Sequence, residues 1–360
     1  MKILIITNHS YMLYRFRREL IAELMREHEV VLSMPFVGHE DDFQAMGLRC
    51  IHTEVDRRGI NPKTDLKLLL TYRKLLKEEK PDLVITYSIK PNIYAGLACA
   101  VMGIPYCANV QGLGTAFQRK GLAQFVTVLY RMALGKAKTV FFENQGNARE
   151  FLDRRIIPAE KITVLNGAGI NLEEYSLQPY PENDRVRFLY LGRIMEEKGI
   201  GELFDAIRRL HDEMGDKVIL DLVGFFDDDY KEQVDALVAD GIAVFHGFQP
   251  EPRPYYAAAD CIVLPSYHEG LSNVLLEAAA TGRPVIASDI YGCRETVDDG
   301  STGLLCPVRD ADGLYEQMRA MAMLPAERRA AMGAAGRRKM EQEFDKASVV
   351  RRTVEAMFRA

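Results

Sequence analysis

The stretch Val263–Ser288, VLPSYHEGLSNVLLEAAATGRPVIAS, leaves this chain few architectures. An apolar run ends at Pro265, a polar loop follows, a short helical pattern runs from about Ser272 to Thr281, and Pro284-Val285-Ile286-Ala287 reads as a second buried strand. Ser272 or its neighbour is placed to cap the helix, Gly282 to end it, and Pro284 to keep it from continuing. The unit is strand–helix–strand, so the helix starts in the crevice at the carboxyl end of a parallel strand, where open α/β sheets bind ligands. Its first backbone N–H groups, at Gly270, Leu271, Ser272 and Asn273, suit an anion such as a diphosphate.

Two carboxylates frame that helix start. Glu269 lies just before it and Glu277 in its second turn. Eight helical positions advance about 12 Å and return to roughly the same face. Such a pair is too widely spaced for one metal ion but matches the two ends of an extended ligand. A sugar nucleotide has that length: a ribose diol suits one carboxylate, a diphosphate suits the helix start, and sugar hydroxyls suit the other carboxylate.

At 360 residues the chain exceeds what one core usually supports, so two domains are expected. Cys50, Cys99, Cys107, Cys261, Cys293 and Cys306 form no C-x-x-C pair and sit mostly in apolar runs. They read as reduced core residues of a cytosolic protein, with no zinc site. Met1-Lys2 runs directly into an apolar strand with Asn8-His9-Ser10 behind it, too short for a signal peptide, and no apolar run approaches a membrane span. Charge is divided: residues 1–170 carry an excess of seven basic side chains, residues 171–360 an excess of twelve acidic ones. The basic half should face something anionic.

In the first half, apolar β runs alternate with helical patterns, which predicts a doubly wound parallel sheet. The loop after its first strand lacks G-x-G-x-x-G, which argues against a nicotinamide cofactor. Three loops lie at strand carboxyl ends. The first holds Asn8-His9-Ser10-Tyr11, the second places Lys90 and Asn92 at a helix start, and the third carries Asn109-Val110-Gln111-Gly112-Leu113-Gly114. A second βα series begins at Val186, and the polar segment around Gln178–Arg185 reads as the linker. After its first strand comes Gly192-Arg193-Ile194-Met195-Glu196-Glu197-Lys198-Gly199, whose Arg193 and Lys198 can converge on one diphosphate. Asp227-Asp228-Asp229 has the spacing of a D-x-D metal site, but it introduces a helix near Tyr230–Val238, where Asp side chains act as caps.

The segment Pro265-Ser266, His268-Glu269-Gly270-Leu271, Asn273–Ala278, Gly282–Ala287, Gly292-Cys293-Arg294-Glu295 and Asp299-Gly300 through Gly303-Leu304 resembles the donor-site signature of retaining glycosyltransferase family 4. With Phe141-Phe142-Glu143-Asn144, Asn147-Ala148 and Gly169-Ile170-Asn171-Leu172, the resemblance extends over nearly the whole chain. It points to the subgroup that elongates sugars on polyprenyl diphosphate carriers. It implies the GT-B fold: two Rossmann-like doubly wound parallel-sheet domains facing a cleft, here 1–170 for the acceptor, 171–345 for the nucleotide sugar, and a 346–360 helix crossing back. It also implies roles. Glu277 would hold the ribose; Arg193 and Lys198, with Gly192 and the helix start, the diphosphate; Glu269 the sugar hydroxyls. Catalysis would rest on Arg193, Lys198 and Glu269, without a metal or another cofactor. His9, Lys90, Asn92, Gln111, Gly112 and Gly114 would face the acceptor or the donor sugar; many relatives carry His where this chain has Gln111.

The expected reaction is transfer of a HexNAc or hexose from a UDP-sugar to a polyprenyl-diphosphate-linked saccharide at the inner face of the cytoplasmic membrane. No nucleic-acid partner is expected. Two rivals remain at this point: a UDP-sugar epimerase of the same fold, and a catalytically silent sugar-nucleotide-binding partner. The apolar helical segment Arg119–Lys138 reads either as a core helix with snorkelling ends or as an interfacial helix on anionic lipid. Arg119, Lys120, Arg131, Lys136 and Lys138, with Arg15, Arg17 and Arg18, are the candidates for a membrane-facing group.

Overall fold

The computed structural model describes residues 1–56, 61–112, 117 and 120–359, and of Lys120 the backbone alone. Gly114 and Arg119 lie outside the described residues. The chain forms two compact units: Met1–Ala168 with Ala347–Ala360, and Gly169–Lys346.

The first unit is built on seven strands: β1 (Lys2–Ile6), β2 (Glu29–Met34), β3 (Arg49–His52), β4 (Leu83–Tyr87), β5 (Tyr106–Val110), β6 (Thr139–Phe142) and β7 (Ile162–Val164). They are parallel, in the order β3-β2-β1-β4-β5-β6-β7, so the connections reverse direction between β1 and β4. Near-continuous apolar runs such as KILII form these strands because both sheet faces are covered. Leu4 and Ile6 join Tyr72, Leu76, Tyr130 and Phe151 on one face. Ile3 and Ile5 join Leu13, Leu20 and Ile21 on the other, where Val350 and Met357 of the last helix, Lys346–Phe358, also pack.

The second unit has six parallel strands: β8 (Val186–Leu191), β9 (Val218–Val223), β10 (Ala243–Gly247), β11 (Cys261–Leu264), β12 (Val285–Ser288) and β13 (Gly303–Cys306). Their order is β10-β9-β8-β11-β12-β13, and the reversal falls between β8 and β11. The loops leaving β8 and β11 therefore flank the crevice in which such sheets take ligands.

The segment 178–185 is not a linker between the units; it belongs to the second. The buried Arg283 guanidinium donates to the carbonyls of Gln178 and Pro179 at 3.3 and 2.6 Å, and Tyr180 and Asn183 bond Asp260. A polar, proline-containing stretch reads as a tether when its partners lie a hundred residues away.

Candidate functional site

Between β11 and β12 the expected unit forms. The helix Asn273–Ala280 is capped by Ser272, whose hydroxyl accepts from the Leu275 amide at 3.3 Å. The proposed anion cradle at its start needs correction at Ser272. That residue's amide donates to the Gly292 carbonyl at 3.0 Å and so is engaged within the protein. The contact is possible because residue 292 is glycine. At φ +89 a Cβ there would lie 2.5 Å from the Gly270 carbonyl oxygen and 2.9 Å from Glu269 Cβ. Glu295 braces this turn by accepting the Gly292 amide at 2.6 Å, while burial pushes its carboxyl above the usual range.

The loop after β8 meets the loop after β11 directly. The Tyr267 amide donates to the Glu197 carbonyl at 2.9 Å, and the Tyr267 hydroxyl donates to Glu202 at 2.7 Å. These contacts bring Lys198 Nζ to 2.6 Å from Glu269 Oε1, with side chains only 19% and 13% exposed. Next to them, burial lowers the His268 imidazole below its ordinary value, opposed by the charge of Glu197. Arg193, more exposed, pairs with Asp227 at 2.6 Å. Each of the two expected diphosphate cations thus already holds a carboxylate.

The acidic run does different work from that expected of it. The helix begins at Lys231 with Tyr230 at its cap and no side-chain cap bond. Asp227 holds Arg193, and Asp228 accepts the Glu196 amide at 2.8 Å, so the run ties the loop after β9 to the loop after β8. Glu277, read as the ribose ligand, is 5% exposed and accepts the Tyr256 hydroxyl at 2.9 Å. Tyr256 was invisible in sequence because it lies in the apolar run Pro254–Ala259 with no polar pattern around it.

In the first unit the expected acceptor-side residues divide. His9 caps the helix Ser10–Met25 without a side-chain cap bond, its ring 6.3 Å from that of Tyr11. Gln111 and Gly112 follow β5 and are half-buried. Asn92 is corrected: at 1% exposure it accepts from Thr86 Oγ1 at 2.6 Å and donates to the Asn109 carbonyl at 2.8 Å, bracing β4 against β5 rather than facing a ligand. Lys90 pairs with the buried Asp65 at 2.9 Å. Arg17 is corrected too. It is 8% exposed and paired with Glu143 at 2.6 Å, so it cannot belong to a membrane-facing group.

The helix Lys120–Leu134 has one face in the core and another exposed. Ala123, Val126, Tyr130 and Ala133 enter the core, while Phe125, Val128 and Met132 on another face are 50%, 50% and 60% exposed. Arg131 bonds the carbonyls of Arg154 and Arg155, and Lys136 bonds that of Ala100. Among the described residues no helix is long and apolar enough to cross a membrane.

Two parallel-sheet units of this topology have the GT-B fold, and a crevice with basic and acidic side chains lies at the second sheet's reversal. Residues 12–174 match Glycosyltransferase Family 4 and residues 185–323 match Glycosyl transferases group 1, so the chain carries glycosyltransferase domains of these two types. It is similar to the Campylobacter jejuni N,N'-diacetylbacillosaminyl-diphospho-undecaprenol alpha-1,3-N-acetylgalactosaminyltransferase, with 28% identity over 88% of both proteins. An Escherichia coli UDP-Gal:alpha-D-GlcNAc-diphosphoundecaprenol alpha-1,3-galactosyltransferase is 26% identical over 79% of this chain and 77% of its own. The fold is shared with Anabaena HepE, crystallised with UDP and glucose, at a TM-score of 0.81, 17% identity and 99% coverage of both chains.

Proposed function

We propose that this enzyme moves a HexNAc or hexose, with retention, from a UDP-sugar to a polyprenyl-diphosphate-linked saccharide in the assembly of a surface polysaccharide or glycoprotein glycan. The observation that carries this reading is the Lys198–Glu269 pair at the strand-order reversal, with Glu277 buried further along the same helix unit. Lys198 and Arg193 would neutralise the leaving diphosphate and take the place of a metal ion; Glu269, released from Lys198, would accept sugar hydroxyls; Glu277 would accept the ribose diol. Support for uridine and for a lipid-linked acceptor comes from the relatives, whose names specify UDP-Gal and diphosphoundecaprenol substrates.

The acceptor would be met at the cytoplasmic face of a membrane. The exposed stripe Phe125, Val128 and Met132, with Arg131, Lys136 and Lys138 near its end, suits an anionic interface. Each basic residue near such a surface contributes about 1 kcal/mol. One experiment tests both parts: incubation with single UDP-sugars, with and without a polyprenyl-diphosphate saccharide in anionic vesicles, followed by flotation. The expected result is UDP release only with the acceptor present, and protein that floats at low salt and is released at high salt. A new sugar nucleotide formed without acceptor would identify an epimerase, and protein that never floats would remove the membrane part alone.

A further inference from the structure

Tyr256 lies on the short helix Arg253–Ala258, is fully buried, and directs its hydroxyl at Glu277 Oε2 from 2.9 Å. Phenylalanine would fill the same apolar space, and a buried phenol is retained where its O–H has a partner. Here the partner is a carboxylate, itself 5% exposed, on a different helix. The terminal torsion of a glutamate is broad and two-fold, so an unheld carboxylate presents its oxygens over a range of directions. A charge-assisted hydrogen bond to one oxygen selects one plane.

The tyrosine is itself held. Arg283, 1% exposed, donates Nε to the Tyr256 carbonyl at 3.0 Å and Nη2 to the carbonyls of Ala257 at 2.9 Å and Pro179 at 2.6 Å. Since Arg283 stands two residues before β12, it ties the end of the tyrosine's helix to the sheet. The Tyr175 ring meets the Tyr256 ring edge-on at 6.3 Å.

We propose that Tyr256 is a positioning residue for the donor: its hydroxyl holds the Glu277 carboxylate in the orientation that accepts the ribose diol of a nucleoside diphosphate. The proposal rests on the reading of Glu277 as the ribose ligand. Calorimetric titration of the full-length enzyme with UDP and with 2′-deoxy-UDP tests it. Tyr256→Phe should weaken UDP binding by about tenfold, the size expected for a hydrogen bond to a charged group, and 2′-deoxy-UDP binding by at least threefold less. In a Glu277→Gln background the same substitution should cost less than about twofold, since its effect passes through the carboxylate. Turnover at saturating donor should stay within about twofold, because orienting a binding group acts on ground and transition states alike. Equal losses for both nucleotides, undiminished in the Glu277→Gln background, would show a merely structural tyrosine and overturn the proposal. Unchanged UDP affinity in Tyr256→Phe, with Glu277→Gln weakened, overturns it as well. If Glu277→Gln binds UDP like the native enzyme, the ribose reading of Glu277 is what fails. Unfolding midpoints of the variants accompany each titration, and the double variant, which carries no carboxylate at position 277, supplies the comparison if Tyr256→Phe alone folds poorly.

Discussion

Lys198→Ala is expected to lower the transfer rate by a factor on the order of 10² to 10³, the loss seen when one preorganised donor to a developing negative charge is removed. The proposed role puts the ammonium where the leaving diphosphate gathers charge, so the loss should fall on kcat more than on KM. The ion pair with Glu269 complicates the comparison, because the alanine variant leaves a carboxylate that is only 13% exposed without its cation. Lys198→Arg separates the two effects. It keeps a positive charge for Glu269 but changes the placement of that charge on a phosphate, so it should preserve the unfolding midpoint while recovering part of the rate. Steady-state kinetics of both variants check this, and an alanine variant with native kcat would remove Lys198 from the chemistry.

A second large effect is expected at Gly199, where no side chain acts at all. The residue sits at φ +69 between Lys198 and the helix Ile200–Met214, and a Cβ there would lie 2.1 Å from the Pro265 carbonyl oxygen. Gly199→Ala meets a left-handed backbone cost of about 1–2 kcal/mol. It must also push the loop after β8 away from the loop after β11, whose contact places Lys198 beside Glu269. A total near 2 kcal/mol corresponds to a fall of about 4–8 °C in the unfolding midpoint for a domain of this size. The rate should fall toward that of Lys198→Ala. Thermal unfolding and initial rates measure both, and a variant native in both would mean that the two loops are not mutually held.

The architecture was legible because the strand signals are unusually clean. Runs such as Ile3–Ile6 and Cys261–Leu264 are apolar on both faces, as parallel strands under two helical layers must be. The segment Val263–Ser288 gave the helix, a cap at or next to Ser272 and the following strand together. Partners were not legible. Lys198 and Glu269 are 71 residues apart and Arg17 and Glu143 are 126 apart, and no local spacing encodes such distances. Arg17 was therefore counted as surface charge when it is a buried ion-pair member. Asn92 was misassigned for a related reason: a polar residue just past a parallel strand reads equally as a ligand group or as a brace, and only the positions of Thr86 and Asn109 decide it. The aspartates 227–229 followed helix-cap logic, but two of them bond the neighbouring loop instead.

The central claim is that a nucleoside diphosphate sits between the loop after β8 and the helix start after β11 in the second unit. Amide hydrogen exchange, compared with and without saturating UDP, tests this most directly. The account predicts slowed exchange concentrated in 192–199 and 269–277, with little change in the strands of the first unit. Protection confined to the first unit, or no protection at saturating UDP, would contradict it.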